Sequence, residues 1–129
     1  MIDLHVGAVS TDVLPDEQAI TALSLGELGF GVAVAPTEKD RLDRQARLDH
    51  YREIFRNSTI PYDAEAAMLY GLVVGSSLQH GKHAIRRRPV DLQMAAIAVA
   101  RQLPLYTVNH ADFEGIAGLQ VVAVERLRS

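Results

Sequence analysis

Three acids in this sequence sit where solvation alone does not explain an acid. Asp91 stands at the mouth of "PVDLQMAAIAVARQLPLYTVNHADF" (Pro89 to Phe113), a stretch otherwise close to pure core. Glu27 lies inside the apolar "ITALSLGELGFGV", and Asp112 falls in "NHADF", directly after the apolar "LYTV". Each has an ordinary explanation. Asp91 can accept backbone N–H bonds at the start of a helix and favour the positive end of its dipole. Glu27 can be a partly exposed face residue, and Asp112 a turn or cap residue.

As a group the acids would do more. Two carboxylates about 4 Å apart repel by roughly 4 kcal/mol at an effective dielectric near 20, so a cluster of them requires protons or a cation. Hard oxygen ligands, with no cysteine and no obvious histidine pair, favour Mg²⁺ or Mn²⁺ over zinc. A divalent ion held in this way activates water and stabilises the charge that develops on a phosphodiester during in-line displacement. The basic run "GKHAIRRRP" (Gly81 to Pro89) supplies Lys82, Arg86, Arg87 and Arg88, which suit phosphate neutralisation; the plain alternative is a solvated connecting loop. His80, His83 and His110 lie near polar loops and are assigned no role. The glycines of "GELGFGV" do not follow the G-x-G-x-x-G spacing of a phosphate loop, and close helix packing is expected of them instead.

Elements that would position these acids can be read along the chain. "QAITALSL" (Gln18 to Leu25) predicts a short buried strand running into a helix at about Ser24, with Glu27 just past the strand end. "TEKDRLDRQARLDHYREIF" predicts an amphipathic helix with Thr37 as N-cap and Leu42, Ala46, Tyr51, Ile54 and Phe55 near one face. "STIPYD" suits a short strand. "AEAAMLYGLVVGSSLQHG" has helical spacing through Ala67, Leu69, Tyr70 and Val74, with Gly81 as a stop. From Asp91 to Gln102 the residues are apolar on nearly every side, the mark of a buried helix, and Pro104 ends it. "LYTV" and "LQVVAV" read as further strands. Alternating strands and helices imply an α/β fold with a parallel sheet covered on both faces, in which chemistry collects at the carboxyl ends of the strands. Glu27, Asp91, Asn109 and Asp112 would all fall at that edge.

The bulk numbers agree with one compact domain over residues 1–129. The chain is 48% hydrophobic and 22% charged, with formal net charge −3, so it is neither a disordered tail nor a generally basic nucleic-acid coat. Without cysteine there is no disulfide framework and no thiolate metal site. No apolar run is long enough to span a bilayer and residues 1–15 lack a secretory pattern, so a soluble cytoplasmic protein is expected, with no membrane partner.

In "ITALSLGELGFGV", "RRRPVDLQMAAIAVARQLPLYTVNHADF" and "GLQVVAV", taken in this order from about Leu14 to Val124, the chain resembles PIN-domain ribonucleases of the VapC toxin type. The resemblance implies a PIN-like three-layer α/β fold with a mainly parallel central sheet flanked by helices. It further implies RNA cleavage with Mg²⁺ or Mn²⁺, a VapB-like antitoxin as partner, and a toxin homodimer. Carried over by motif, Glu27, Asp91 and Asp112 match the acids that hold the metal, and Thr107 and Asn109 match polar positions beside the last acid; on the nuclease reading, Arg86, Arg87 and Arg88 of the basic run would hold RNA.

One element departs from the pattern. The family begins with an apolar strand ending in Asp-Thr-Ser or Asp-Thr-Asn, and no such tripeptide occurs in "MIDLHVGAVSTDVLPDE". Asp3 stands only 24 residues before Glu27 and follows just Met1 and Ile2, too few for a buried strand; Asp12 is closer still. The expectation is therefore that Met1 lies just beyond the missing motif, that "IDLHVG" begins the helix after it, and that the sheet lacks its central strand. From this come two further readings besides the nuclease: a PIN-like binding or scaffold module without catalysis, and, more weakly, an acid-pocket phosphotransfer domain.

Overall fold

The computed structural model describes residues 1–3, 18–79 and 88–124. Within them the chain forms β1 (Ile20–Thr21), α1 (Ala22–Ala33), α2 (Glu38–Ile54), β2 (Thr59–Ile60) and α3 (Ala64–Gln79). There follow α4 (Pro89–Arg101), β3 (Leu105–Thr107), a short 3-10 helix (His110–Phe113) and β4 (Val121–Ala123). β1 pairs in parallel with β2, Ile20 opposite Thr59, and β3 pairs in parallel with β4, Leu105 opposite Val121.

Met1–Asp3 joins these two pairs of strands. Ile2 forms a parallel bridge with Tyr106 of β3. The Ile2 N–H donates to the Ala19 carbonyl at 2.8 Å, Asp3 N–H to Tyr106 O at 2.9 Å, and Tyr106 N–H to Met1 O at 2.9 Å. The expectation that these residues start a helix beyond an absent strand is thus corrected. Their backbone pairs with the Ala19 carbonyl just before β1 and with both main-chain groups of Tyr106 in β3, as buried main-chain groups require.

Side-chain alternation along this central segment separates two apolar clusters. Met1 and Leu105 face one, with Ala66 and Val73 of α3 and Leu92 and Met94–Ala98 of α4; Ile2 and Tyr106 face the other, with Ile20, Leu28, Leu48, Tyr51 and Phe55. Neighbouring strand residues point to opposite faces. The sheet therefore has α3 and α4 on one side and α1 and α2 on the other, which is the three-layer arrangement expected from the alternation of elements.

Local chemistry sets the helix starts. Thr21 Oγ1 accepts from Ser24 N–H at 3.1 Å to cap α1, and Thr37 Oγ1 accepts from Asp40 N–H at 3.1 Å to cap α2. Asp63 Oδ1 accepts from Ala66 N–H at 3.0 Å at the head of α3. Pro89 opens α4, where its missing N–H costs nothing, and Gln102 closes it in the left-handed conformation at φ 54° and ψ 44° before Pro104. The buried helix of the sequence reading is observed, with Leu92 and Met94–Ala98 all buried.

Two other expectations change. Of the residues expected on the inward face of α2, Tyr51 and, just past its end, Phe55 do pack inward, joined by Leu48, whereas Ala46, Leu42 and Ile54 are exposed; Leu42 and Ile54 lie about 120° apart at 3.6 residues per turn and share no face. The glycines of α1 do not serve close packing, since a Cβ at Gly26 or Gly29 would meet nothing within 4 Å, and at Gly31 only Arg44 at 4.0 Å. The stop assigned to Gly81 lies outside the described residues.

Candidate functional site

The carboxyl ends of the strands carry the acids, each delivered by a different element. Asp3 ends the central segment. Its side chain is 1% exposed, and Thr107 Oγ1 at the end of β3 donates to Asp3 Oδ2 at 2.8 Å. The same hydroxyl accepts from Asn109 N–H at 3.0 Å, so Thr107 ties the turn after β3 to Asp3. Thr107 is itself fully buried, and its hydroxyl is committed to these two bonds.

Asp91 lies in the first turn of α4, 3% exposed, with its N–H donating to Arg88 O at 3.1 Å. A carboxylate there is favoured by the positive end of the helix dipole. Glu27 is half-buried in α1, and Arg88 Nη2 donates to Glu27 Oε2 at 2.7 Å, so α1 is pinned to the start of α4. Asp112 sits exposed in the 3-10 helix, which buried Phe113 anchors against α4. His110 is exposed on the same turn.

Every acid singled out from the sequence is thus at or near the carboxyl edge of the sheet, on α1, α4 or the turn after β3. Among the described residues, however, no three Asp, Glu or His side chains come together closely enough to hold a metal ion. Arg88, expected to face RNA, is engaged with Glu27, while Lys82, Arg86 and Arg87 lie outside the described residues. A cavity of about 750 Å³ lined by Met1, Gln18, Phe55 and Leu103 lies at the amino end of the strands and contains none of these acids.

Sequence reasoning missed two features of the site: Asp3 as a buried acid and the Arg88–Glu27 pair. The first had a signal, an apolar residue followed by an acid, but too few residues to show a strand period. The second had none, because its partners are 61 positions apart.

A parallel three-layer α/β sheet with buried carboxylates at its carboxyl edge agrees with the PIN-like fold that the sequence resemblance implies. No family model matches the chain. It is 32% identical over 114 residues to Ribonuclease VapC5 of Mycobacterium tuberculosis, an alignment covering 87% of this chain and 80% of that protein. Among solved structures it is similar to VapBC-5 from Mycobacterium tuberculosis, a member of the VapBC family of toxin-antitoxin systems. There the TM-score is 0.79 and the identity 29%, over 95% of this chain and 94% of that one. VapBC2 from Rickettsia felis, solved with a DNA fragment from their promoter, matches with TM-score 0.68 and 25% identity over 83% of this chain and 74% of that one. The chain belongs to the VapC ribonuclease family.

Proposed function

We propose that this protein is the toxin of a type II toxin-antitoxin pair, an endoribonuclease that hydrolyses RNA phosphodiester bonds with Mg²⁺ or Mn²⁺ at the carboxyl edge of its sheet. Membership of the VapC family supports the activity. The observation that carries the site is the pair of carboxylates, Asp3 and Asp91, buried to 1% and 3% exposure at that edge.

The donor set suits a hard divalent cation in kind: carboxylates from Asp3, Asp91, Glu27 and Asp112, with no sulfur ligand. When bound, such an ion supplies an activated water and neutralises charge on the phosphodiester. The chain's own residues do the rest. Thr107 orients Asp3 through its hydroxyl, so its part is positioning rather than substrate contact. Asp91 or Glu27 takes up a proton, Asn109 lines the turn beside Asp112, and Arg86, Arg87 and Arg88 meet RNA phosphates.

A VapB-like antitoxin and a toxin homodimer complete the proposal. The similarity to solved VapBC toxin-antitoxin structures supports the first. Exposed Phe30, Val34 and Leu42 on α1 and α2, and Met68 and Leu72 on α3, provide apolar surface for such partners. Among the described residues no helix is long and apolar enough to cross a membrane, in keeping with a cytoplasmic site of action.

Asp91→Asn is the direct test. It should abolish Mg²⁺-dependent cleavage of a structured RNA while leaving the melting temperature near that of the wild type. Cleavage unchanged in this variant, or insensitive to chelation, would overturn the reading. The binding-module alternative drew on a missing first acid, a premise that Asp3, buried at the end of the central segment, removes.

A further inference from the structure

We infer that the outward face of α3 is where a second copy of this chain docks, antiparallel to the first about a two-fold axis beside Leu72. The inference rests on the homodimer proposed above, gives it a surface, and does not depend on the chemistry of the acids.

A helix at a protein surface ordinarily turns a charged face to water, and one that is apolar all round is normally covered on every side. α3 has 16 residues, and Glu65 is its one charge. Its inner side, with Ala66, Val73 and Ser77, is buried, and α4 packs against the helix. Its outer side presents Met68 at 80% and Leu72 at 72% exposure, one turn apart. Gly71 and Gly75 share that face, because positions 68, 71, 72 and 75 fall within about 100° of one another around a helix. The chain's own packing requires neither glycine: a Cβ at either would meet nothing within 4 Å, although glycine weakens a helix interior relative to alanine. Together with Val99 and Ala117 they line an apolar groove of about 440 Å³.

Large and small residues are arranged on this face so that it fits itself. With a two-fold axis between positions 71 and 72, antiparallel copies set Met68 of each opposite Gly75 of the other, and the two Leu72 side chains meet at the axis. Such reciprocal contacts define an isologous interface, and the glycines let the helix axes approach closely. Antiparallel pairing also keeps the two Glu65 carboxylates at opposite ends, whereas parallel pairing would set like charges side by side. The other apolar patch, on α1 and α2, has Lys39, Arg41 and Asp43 around Leu42 and suits a charged partner instead.

The chain has no cysteine, so single introduced thiols report the geometry without background. Under oxidation Leu72→Cys should crosslink to itself, and a mixture of Met68→Cys and Gly75→Cys should give chiefly the mixed dimer, since a disulfide forms only between close Cβ atoms. Phe30→Cys should remain uncrosslinked. In sedimentation equilibrium of the intact chain, Leu72→Glu should raise the dimer dissociation constant by about thirtyfold or more, as loss of a central buried contact does. Its melting temperature should match the wild type at dilutions where both are monomeric. A dimeric wild type whose α3 variants neither crosslink nor dissociate overturns the α3 face and leaves the homodimer reading standing. Crosslinking through Phe30→Cys in place of Leu72→Cys does the same. A wild type that is monomeric at every concentration overturns both.

Discussion

Replacing Thr107 with Val tests the placement of Asp3 with little change of shape. Thr107 donates to Asp3 Oδ2 at 2.8 Å and accepts from Asn109 N–H at 3.0 Å, with no exposure of its own. Valine keeps the volume and the strand preference but makes neither bond. A hydrogen bond to a charged group is worth about 1.5–3 kcal/mol, and loss of an acceptor for a partly buried N–H adds roughly 1 kcal/mol. The variant should therefore lose about 2.5–4 kcal/mol. For a chain of 129 residues, unfolding entropy of about 2.1 cal/mol/K per residue makes 1 kcal/mol equivalent to about 4 °C. The melting temperature, followed by circular dichroism at neutral pH, should fall by about 10–16 °C. Thr107→Ser keeps the hydroxyl and should cost only about 1 kcal/mol for the lost methyl. A fall below about 2 °C for the Val variant would mean that Asp3 is not held by Thr107, and the assignment of Met1–Asp3 to the centre of the sheet would fail with it.

Two further outcomes follow from features away from the acids. The Asp63 carboxyl is held below its ordinary value chiefly by the Ala66 N–H that donates to it, with the Arg101 charge adding to the effect. A carboxyl depressed in the folded state contributes its stability above the unfolded carboxylate range and loses it as pH falls through the folded value. Asp63→Ala should accordingly melt below the wild type at pH 7, and the gap should narrow below about pH 4; a gap constant with pH would refute the assignment. Gly29→Ala should raise stability by about 0.5–1 kcal/mol in a denaturant titration, because the glycine is interior to α1 and a methyl there meets nothing within 4 Å. A destabilised variant would show that the face of α1 is occupied.

Much of the fold was legible because single residues carry unambiguous physics. Thr37 before an acidic helical run is a cap, Pro89 and Pro104 bracket a helix apolar on nearly every side, and "LYTV" has no other use than a buried strand. What could not be read depends on the fold itself. On α2 Tyr51 and Phe55 were legible as inward residues, while Leu42 and Ile54 were included although they are exposed and Leu48 was missed; apolar character alone does not say which side a helix turns to its neighbours. Met1–Asp3 carries no strand signal, since alternation over so few residues is not a pattern; its conformation comes from the open main-chain groups of β1 and β3 on either side. At the site, Glu27, Asp91 and Asp112 stood out as acids against apolar surroundings. The engagement of Glu27 by Arg88 did not, because ion pairs between distant positions leave no mark on spacing.

The central segment makes the sheet a thing of two halves with a seam. Glu27 rides on the half that holds β1 and β2, while Thr107, Asn109 and Asp112 ride on the half that holds β3 and β4, and Asp3 lies on the seam itself. Main-chain bonds from Ile2, Asp3 and Tyr106 close it along its length, and the reach of Arg88 to Glu27 closes it again at the carboxyl edge. The spacing between the acids is therefore a measure of how tightly the halves are drawn together. A ligand held across that edge acts as a clasp, and its affinity and the cohesion of the sheet are two readings of one distance.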